Sequence, residues 1–334
     1  MFGQNIRYQY AFKITLDDKY LQEVDPQYPI LAYTSSVGEI GIIKESFYRS
    51  GNNGAFQALF SKQHKFTYKE LQFVLSAIKI HFDTFGYGTG MANVIDLEIQ
   101  LPITPDGTID YDFMERFVRE LEEERVRELA AYLSASGLSD YRLTAEETSA
   151  LQRMDNVTWG EFNVIDIFNV KNTGNILSRE ISPNSGTTPY LCASKENNAI
   201  SSYVSFDEER IDKGNCIFIG GKTFVVTYQE QDFYSNDSHN LILSLKDETK
   251  KNRNSHLFMV SCVDKGLGYK YSWGDSISKT KIQTDKFRLP LAPDGTIDYA
   301  FMETFIRAIH KQVIAGVVEY AERKMQTYHT VVDR

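Results

Sequence analysis

Apolar and polar positions alternate with two different periods along this chain, and the two rarely overlap. In the first hundred residues the signal is mostly that of strands. Residues 28–44, YPILAYTSSVGEIGIIK, form an apolar run, a polar turn and a second apolar run, which predicts a hairpin. A short strand is expected at 55–60. Residues 67–83 switch to helical spacing through Leu71, Val74, Leu75, Ile78 and Phe82. The Gly-rich loop FGYGTGM (85–91) follows, and 94–101 alternates as a closing strand. The second half repeats the rhythm. Residues 159–170 carry a strand or short helix, and 190–193 and 200–204 are short strands. Residues 215–228, NCIFIGGKTFVVTY, form a hairpin turning at Gly220-Gly221. A strand at 240–245, an apolar segment at 256–262, the polar stretch 266–281 and a closing strand at 286–289 complete it.

The pattern also contains an explicit repeat. Residues 101–121, LPITPDGTIDYDFMERFVREL, return at 289–309 as LPLAPDGTIDYAFMETFIRAI, identical at 14 of 21 positions and 188 residues further on. That period is too long for a solenoid and marks two copies of a domain-sized module. Leu-Pro closes a strand, Pro-Asp-Gly is a turn, and Thr108 or Asp110 (Thr296 or Asp298) caps a helix. Each helix carries one apolar stripe: Phe113, Phe117 and Leu121 in the first, Phe301, Phe305, Ile309 and Val313 in the second. Such a stripe packs on its own module or, being repeated, on its twin. The reading is an α+β protein with internal duplication: two β-rich modules separated by two long antiparallel helices that form a coiled-coil spacer. Its segments are a short first module at 1–109, helix 110–134, connector 135–158, second module 159–297 and helix 298–330. Counting back from the repeat, the first module lacks a counterpart of 159–186. The connector holds a short helix that opens on the capping box of Thr144 and Glu147.

Composition narrows the function. Phe 21, Tyr 20 and 42% hydrophobic residues belong to a globular chain, and no run of about 18 apolar residues suggests a membrane span. Three widely spaced cysteines, Cys192, Cys216 and Cys262, suit reduced thiols in the cytoplasm. The net charge of −9 is unevenly placed: 110–133 has 8 acidic and 4 basic residues, whereas 246–288 has 10 basic and 5 acidic. The acidic excess therefore leaves room for basic faces on the modules. The six histidines fall into no metal-ligand spacing, and no phosphate loop, nucleophile elbow or Cys-x-x-Cys occurs. Turn formation and helix capping account for the paired Asp106/Asp110 and Asp294/Asp298. The expectation is a non-catalytic recognition or assembly protein with no cofactor or metal of its own.

The order module, helix, connector, module, helix resembles the specificity subunits of type I restriction–modification systems, or the similar subunits and domains of type IIB and IIG enzymes. Trp159-Gly160-Glu161 with VIDIFNV is similar to the opening of a target recognition domain. Pro189-Tyr190-Leu191, Lys213-Gly214-Asn215-Cys216-Ile217, Ser276-Ile277-Ser278-Lys279 and Phe287-Arg288-Leu289-Pro290 resemble its later strands. The resemblance implies that each module reads half of a split target in double-stranded DNA. It implies DNA adenine methyltransferase subunits as partners, holding S-adenosylmethionine, and a restriction subunit where the system has one.

Residue chemistry then suggests the contacts, since Asn, Gln, Ser, Thr, Arg and Lys read base edges while Lys and Arg hold phosphates. In the first module these are Ser35, Ser36, Arg49, Asn52, Asn53, Tyr87 and Thr89. In the second they are Lys195, Asn197, Asn198, Lys222, Asn236, His239, Lys270, Tyr271, Lys279 and Lys281. A solvated polar loop is the competing account of each. The competing function is a scaffold or decoy that binds methyltransferase subunits through the acidic helices without touching DNA.

Overall fold

The computed structural model describes residues 17–34, 38–48, 56–84 and 94–332. Its chain separates into two units: Met1–Ala135 with Tyr320–Arg334, and Ser136–Glu319.

In the first unit, β1 (Leu21–Gln22) pairs with β4 (Phe47–Tyr48), while β2 (Ile30–Thr34) lies between β3 (Ile40–Ile43) and β5 (Phe56–Leu59), all antiparallel. The expected hairpin is thus β2–β3, with Ile30 opposite Ile43. Helix α1 (Tyr68–Phe82) starts at Thr67, whose hydroxyl accepts from Glu70 N while the Glu70 carboxylate accepts from Thr67 N. It lays Leu71, Val74 and Ile78 on the sheet and packs against α2 (Tyr111–Ala135).

The second unit opens with α3 (Ala145–Arg153), which begins at the expected Thr144/Glu147 capping box. Residues 159–172 are both of the things their pattern allowed: β6 (Trp159–Asn163), α4 (Val164–Ile167) and β7 (Phe168–Asn172). Then come β8 (Thr188–Leu191), β9 (Ile200–Val204), β10 (Cys216–Ile219), β11 (Val226–Gln229), β12 (Tyr234–Ser235) and β13 (Leu241–Leu245). Helix α5 (Arg253–Leu267) and strand β14 (Lys286–Pro290) lead into α6 (Tyr299–Val332), whose last part, from Tyr320, belongs to the first unit. The main sheet has the order β11-β10-β13-β7 and a smaller one the order β12-β8-β9. Period-two alternation explains how one strand serves both. Ile217, Ile219, Leu241 and Leu243 join the core with Phe258, Met259 and Val263 of α5, whereas Cys216, Phe218 and Ile242 join Leu191 and Ala199 on the other face. Each such fully buried aliphatic contributes about 2 kcal/mol.

The duplication is structural. The order β3-β2-β5 repeats as β11-β10-β13, and α1 and α5 are both 15 residues long. The repeated corner is built twice with the same bonds. Ile103 bridges Ile109 and Leu291 bridges Ile297. Gly107 and Gly295 take φ of +84° and +83°, a region where a side chain is strained. Of the two candidate caps, Thr108 and Thr296 turn back to Asp106 and Asp294. Asp110 and Asp298 cap the helices, accepting from Phe113 N at 2.8 Å and Phe301 N at 2.9 Å.

One expectation is corrected. Residues 94–101 do not form a strand: Val94–Asp96 is a single 3-10 turn and the rest is irregular. Its counterpart β14 is a strand because β6 pairs with it over five positions; among the described residues 97–102 have no such partner. Between β7 and β10 the second unit carries the pair β8 and β9. Among the described residues the first unit has no equivalent pair. Finally, the apolar segment at 256–262 is the middle of α5.

Candidate nucleic-acid interface

Three loops of the second unit meet at one edge of its sheets: 192–199 after β8, 220–225 between β10 and β11, and 236–240 between β12 and β13. Backbone geometry draws them together. Asn236 N donates to Leu191 O (3.1 Å), and Thr223 Oγ1 donates to Ala193 O (2.8 Å). Gly221 lies so close to the 236–240 loop that a Cβ would stand 2.3 Å from His239 O. Its N–H donates to Asn240 Oδ1 (3.0 Å), while Asn240 Nδ2 donates to Ser235 Oγ and Asn236 Oδ1. From β7, Asn172 Nδ2 donates to Ser238 O and Thr173 Oγ1 to Asp237 O, both at 2.7 Å. Asn197, Asn198 and Ala199 take φ of 47°, 52° and 66°, a left-handed run that Asn tolerates better than most residues.

Lys222, Asn236 and His239, expected as contacts and 17 residues apart at the extremes, are thereby brought together around Asp237. Lys222 Nζ stands 3.5 Å from Asp237 Oδ2 and His239 Nδ1 2.7 Å from Oδ1. Burial would raise the Asp237 pKa, but the bonds from His239 and the charge of Lys222 outweigh it and hold the carboxyl below its ordinary value. Lys195 and Asn197 are exposed on the first loop. Asn198 is differently used: its Nδ2 donates to Tyr228 O (3.0 Å) and its O accepts from Gln229 Nε2 (2.9 Å).

Lys270, Tyr271, Lys279 and Lys281 lie on the segment between α5 and β14. Tyr271 stacks on Phe224 of the 220–225 loop with ring centres 5.4 Å apart, so this segment adjoins the other three loops. Its hydroxyl bonds the buried Asp285 carboxylate, which also takes Lys270 Nζ at 3.0 Å. Burial and that carboxylate push the Tyr271 phenol up, while the bond to Asp285 raises Lys270. Lys281 bonds the Asp275 carboxylate and Ser276 O, and Lys279 is exposed. Ser35, Ser36, Arg49, Asn52, Asn53, Tyr87 and Thr89 lie outside the described residues.

Two residues that sequence reasoning passed over stand out in this segment. Tyr269 is 81% and Trp273 78% exposed. The signal was present in Ser-Trp-Gly-Asp, a large apolar residue set among turn-forming residues.

The stripe residues divide between the units. Phe113 stacks on Phe117 (5.9 Å) with Phe73 of α1 edge-on to both. Phe301 and Phe305 (5.7 Å) meet Phe258 of α5 in the same way. Beyond these triads Leu121 is exposed, Ile309 half-buried and Val313 75% exposed. Within the first unit the end of α6 lies beside α2: burial pushes the Tyr328 phenol up, and Glu122 and Glu123 of α2 add to it.

Among the described residues no group of three or more His, Cys, Asp and Glu side chains is placed to hold a metal ion. The three cysteines are unbridged, and burial pushes the Cys216 and Cys262 thiols up to about 12, the opposite of what a nucleophile needs. No helix among the described residues is long and apolar enough to cross a membrane.

Fold and site together define a class: a duplicated scaffold in which each β-rich module is followed by a long helix and loops carry the polar chemistry. The chain belongs to the family described as type I restriction modification DNA specificity domain, which matches residues 13–131 and again 156–319, once per module. It is 22% identical over 239 residues to the specificity subunit S.BcgI of a type II restriction enzyme from Heyndrickxia coagulans. That match covers 71% of this chain and 64% of the relative's length. The fold is similar to that of a type I restriction–modification S subunit from M. genitalium, with a TM-score of 0.55 and 12% identity, covering 99% of this chain and 86% of the other.

Proposed function

We propose that this chain is the non-catalytic specificity subunit of a cytoplasmic restriction–modification complex, reading a bipartite sequence in double-stranded DNA. Each module takes one half-site. The modules are 1–109 and 159–297, with 135–158 as connector and helices 110–134 and 298–330 pairing antiparallel as the spacer. At 25 residues α2 is about 38 Å long, comparable with the roughly 34 Å of one DNA turn that separates two readers on one face. In this reading adenine methyltransferase subunits grip the helices and hold S-adenosylmethionine, and a restriction subunit joins where the system has one. Lys195, Lys222, Lys270, Lys279 and Lys281 hold phosphates. Asn197, Asn236 and His239 face base edges, with Asn198 and Tyr271 shaping the loops beneath them.

The observation that carries the reading is the gathering of four loops from distant parts of the second module into one polar, lysine-bearing edge, in a chain whose family is that of DNA specificity domains. The test is selection from a random duplex pool by gel shift, with and without a co-expressed methyltransferase subunit. Enrichment of one split sequence is expected. No sequence-selective shift under either condition ends the proposal. Tight methyltransferase binding without DNA binding installs the scaffold or decoy in its place.

A further inference from the structure

Trp273 is the tip of a braced turn. Ser272 and Asp275 exchange both backbone hydrogen bonds, Ser272 N to Asp275 O at 3.2 Å and Asp275 N to Ser272 O at 3.0 Å, leaving Trp273 and Gly274 as a two-residue loop. Each side of its base is tied down. On one side Tyr271 lies on Phe224 and bonds the buried Asp285 carboxylate. On the other, Lys281 bonds the Asp275 carboxylate and, at 2.8 Å, Ser276 O. The indole is nonetheless 78% exposed. Tryptophan is usually well covered, because its ring is the largest apolar surface a side chain carries. A free indole on a floppy loop would need no account, but one held out on a turn anchored at both ends is positioned.

The surroundings decide what it is held out for. Its chain neighbours Ser272, Gly274, Asp275 and Ser276 are small or polar, and the segment's other strongly exposed aromatic is Tyr269. Lys270, Lys279 and Lys281 lie on the same segment, and Phe224 joins it to the loop that carries Lys222. A single flat ring among cations matches the face of a nucleobase, which stacks on aromatic side chains, and apolar wedges inserted between base steps unstack and kink duplex DNA.

We propose that Trp273 inserts into the DNA bound by the second module and stacks on an unstacked base at the edge of that half-site. This rests on the DNA-reading function proposed above and adds a residue that acts on the shape of the duplex and not on its base edges. The indole contributes to affinity through stacking, and it contributes to specificity because base steps differ in how easily they open.

The chain has only two tryptophans, so Trp159→Phe leaves Trp273 as its sole indole, and subtracting the signal of the same complex carrying Trp159→Phe with Trp273→Phe removes the partner's indoles. The complex with the co-expressed methyltransferase is titrated with the duplex selected from the random pool. Quenching of the remaining indole is expected, together with brightening of 2-aminopurine at one position when it is walked through the half-site. Trp273→Ala should abolish that brightening and weaken binding roughly 5- to 150-fold, while Trp273→Phe keeps most of both. Because the side chain is exposed, neither variant disturbs the Tyr271–Asp285 anchor. Selective binding with an unchanged indole signal and an unaffected Trp273→Ala variant overturns the wedge and leaves the proposed function standing. An indole signal produced by methyltransferase alone, with nothing added by DNA, makes the ring a protein contact and also overturns it. Failure of the unsubstituted chain to bind any duplex selectively removes the function itself.

Discussion

Leu71 and His256 occupy the same place in the two modules, the fourth residue of α1 and the fourth of α5, and both are buried. The leucine needs nothing from its surroundings. The imidazole places Nδ1 2.8 Å from Asn252 O, but its Nε2 is buried without a hydrogen-bond partner. Burial pushes its pKa down, with Lys251 nearby adding to the effect. The same helix on the same kind of sheet therefore tolerates an apolar or a polar residue at one site, with different consequences on acidification. Duplication preserved the backbone plan, and the side chains then diverged where the plan does not depend on them.

Equivalence of the two copies can be broken most forcefully at Met114 and Met302, both fully buried at matching points of the repeated helices. Met114→Ala and Met302→Ala should each cost about 3 kcal/mol in urea unfolding. Unequal costs would show that the repeated corner no longer carries equivalent cores. A smaller contrast is expected at the caps. Asp110→Ala and Asp298→Ala each lose a bond to the helix N-terminus worth about 1 kcal/mol. Asp298 also holds Arg153 at 2.6 Å, a partly exposed pair that adds up to about 1 kcal/mol. Thermal melts that show no extra loss for Asp298→Ala would remove the ion pair from the account.

The subtlest contrast is in pH. The folded chain favours neutral His256, whereas the unfolded chain takes up a proton near the ordinary value of 6.5. Unfolding therefore absorbs a proton below that point, so this group's contribution is complete above pH 6.5 and is lost as the pH falls towards the depressed folded value. His256→Leu, which copies the first module, should flatten the stability profile of the second module below pH 6.5. A profile identical to that of the unsubstituted chain would mean that the buried imidazole does not control it.

Much of this could be read from local pattern, and its failures share one cause. The Thr67 and Thr144 capping boxes, the β2–β3 hairpin and the repeated Pro-Asp-Gly turn involve residues within a few positions of each other. Their hydrogen bonds close inside the segment that encodes them. Residues 94–101 were misread because a strand is completed by its neighbour: alternation allows extended backbone, but β6 supplies the ladder for β14 and the described residues offer none to 97–102. Trp273 was passed over for a related reason. Apolar character predicts burial, and only the folded chain shows which apolar side chain has been left outside.

By itself, then, the amino-acid sequence determined the duplication, the corner that begins each long helix and the class of protein, because each is carried by identity of residues or by bonds of short span. Tertiary structure decided that Asp110 and Asp298, and not Thr108 and Thr296, cap those helices. It also decided that loops at 192–199, 220–225 and 236–240 share one edge with the segment bearing Trp273. The caps are a choice between two nearby candidates that the local pattern leaves open, whereas the shared edge depends on hydrogen bonds and a ring contact between positions tens of residues apart, a meeting that no local pattern encodes.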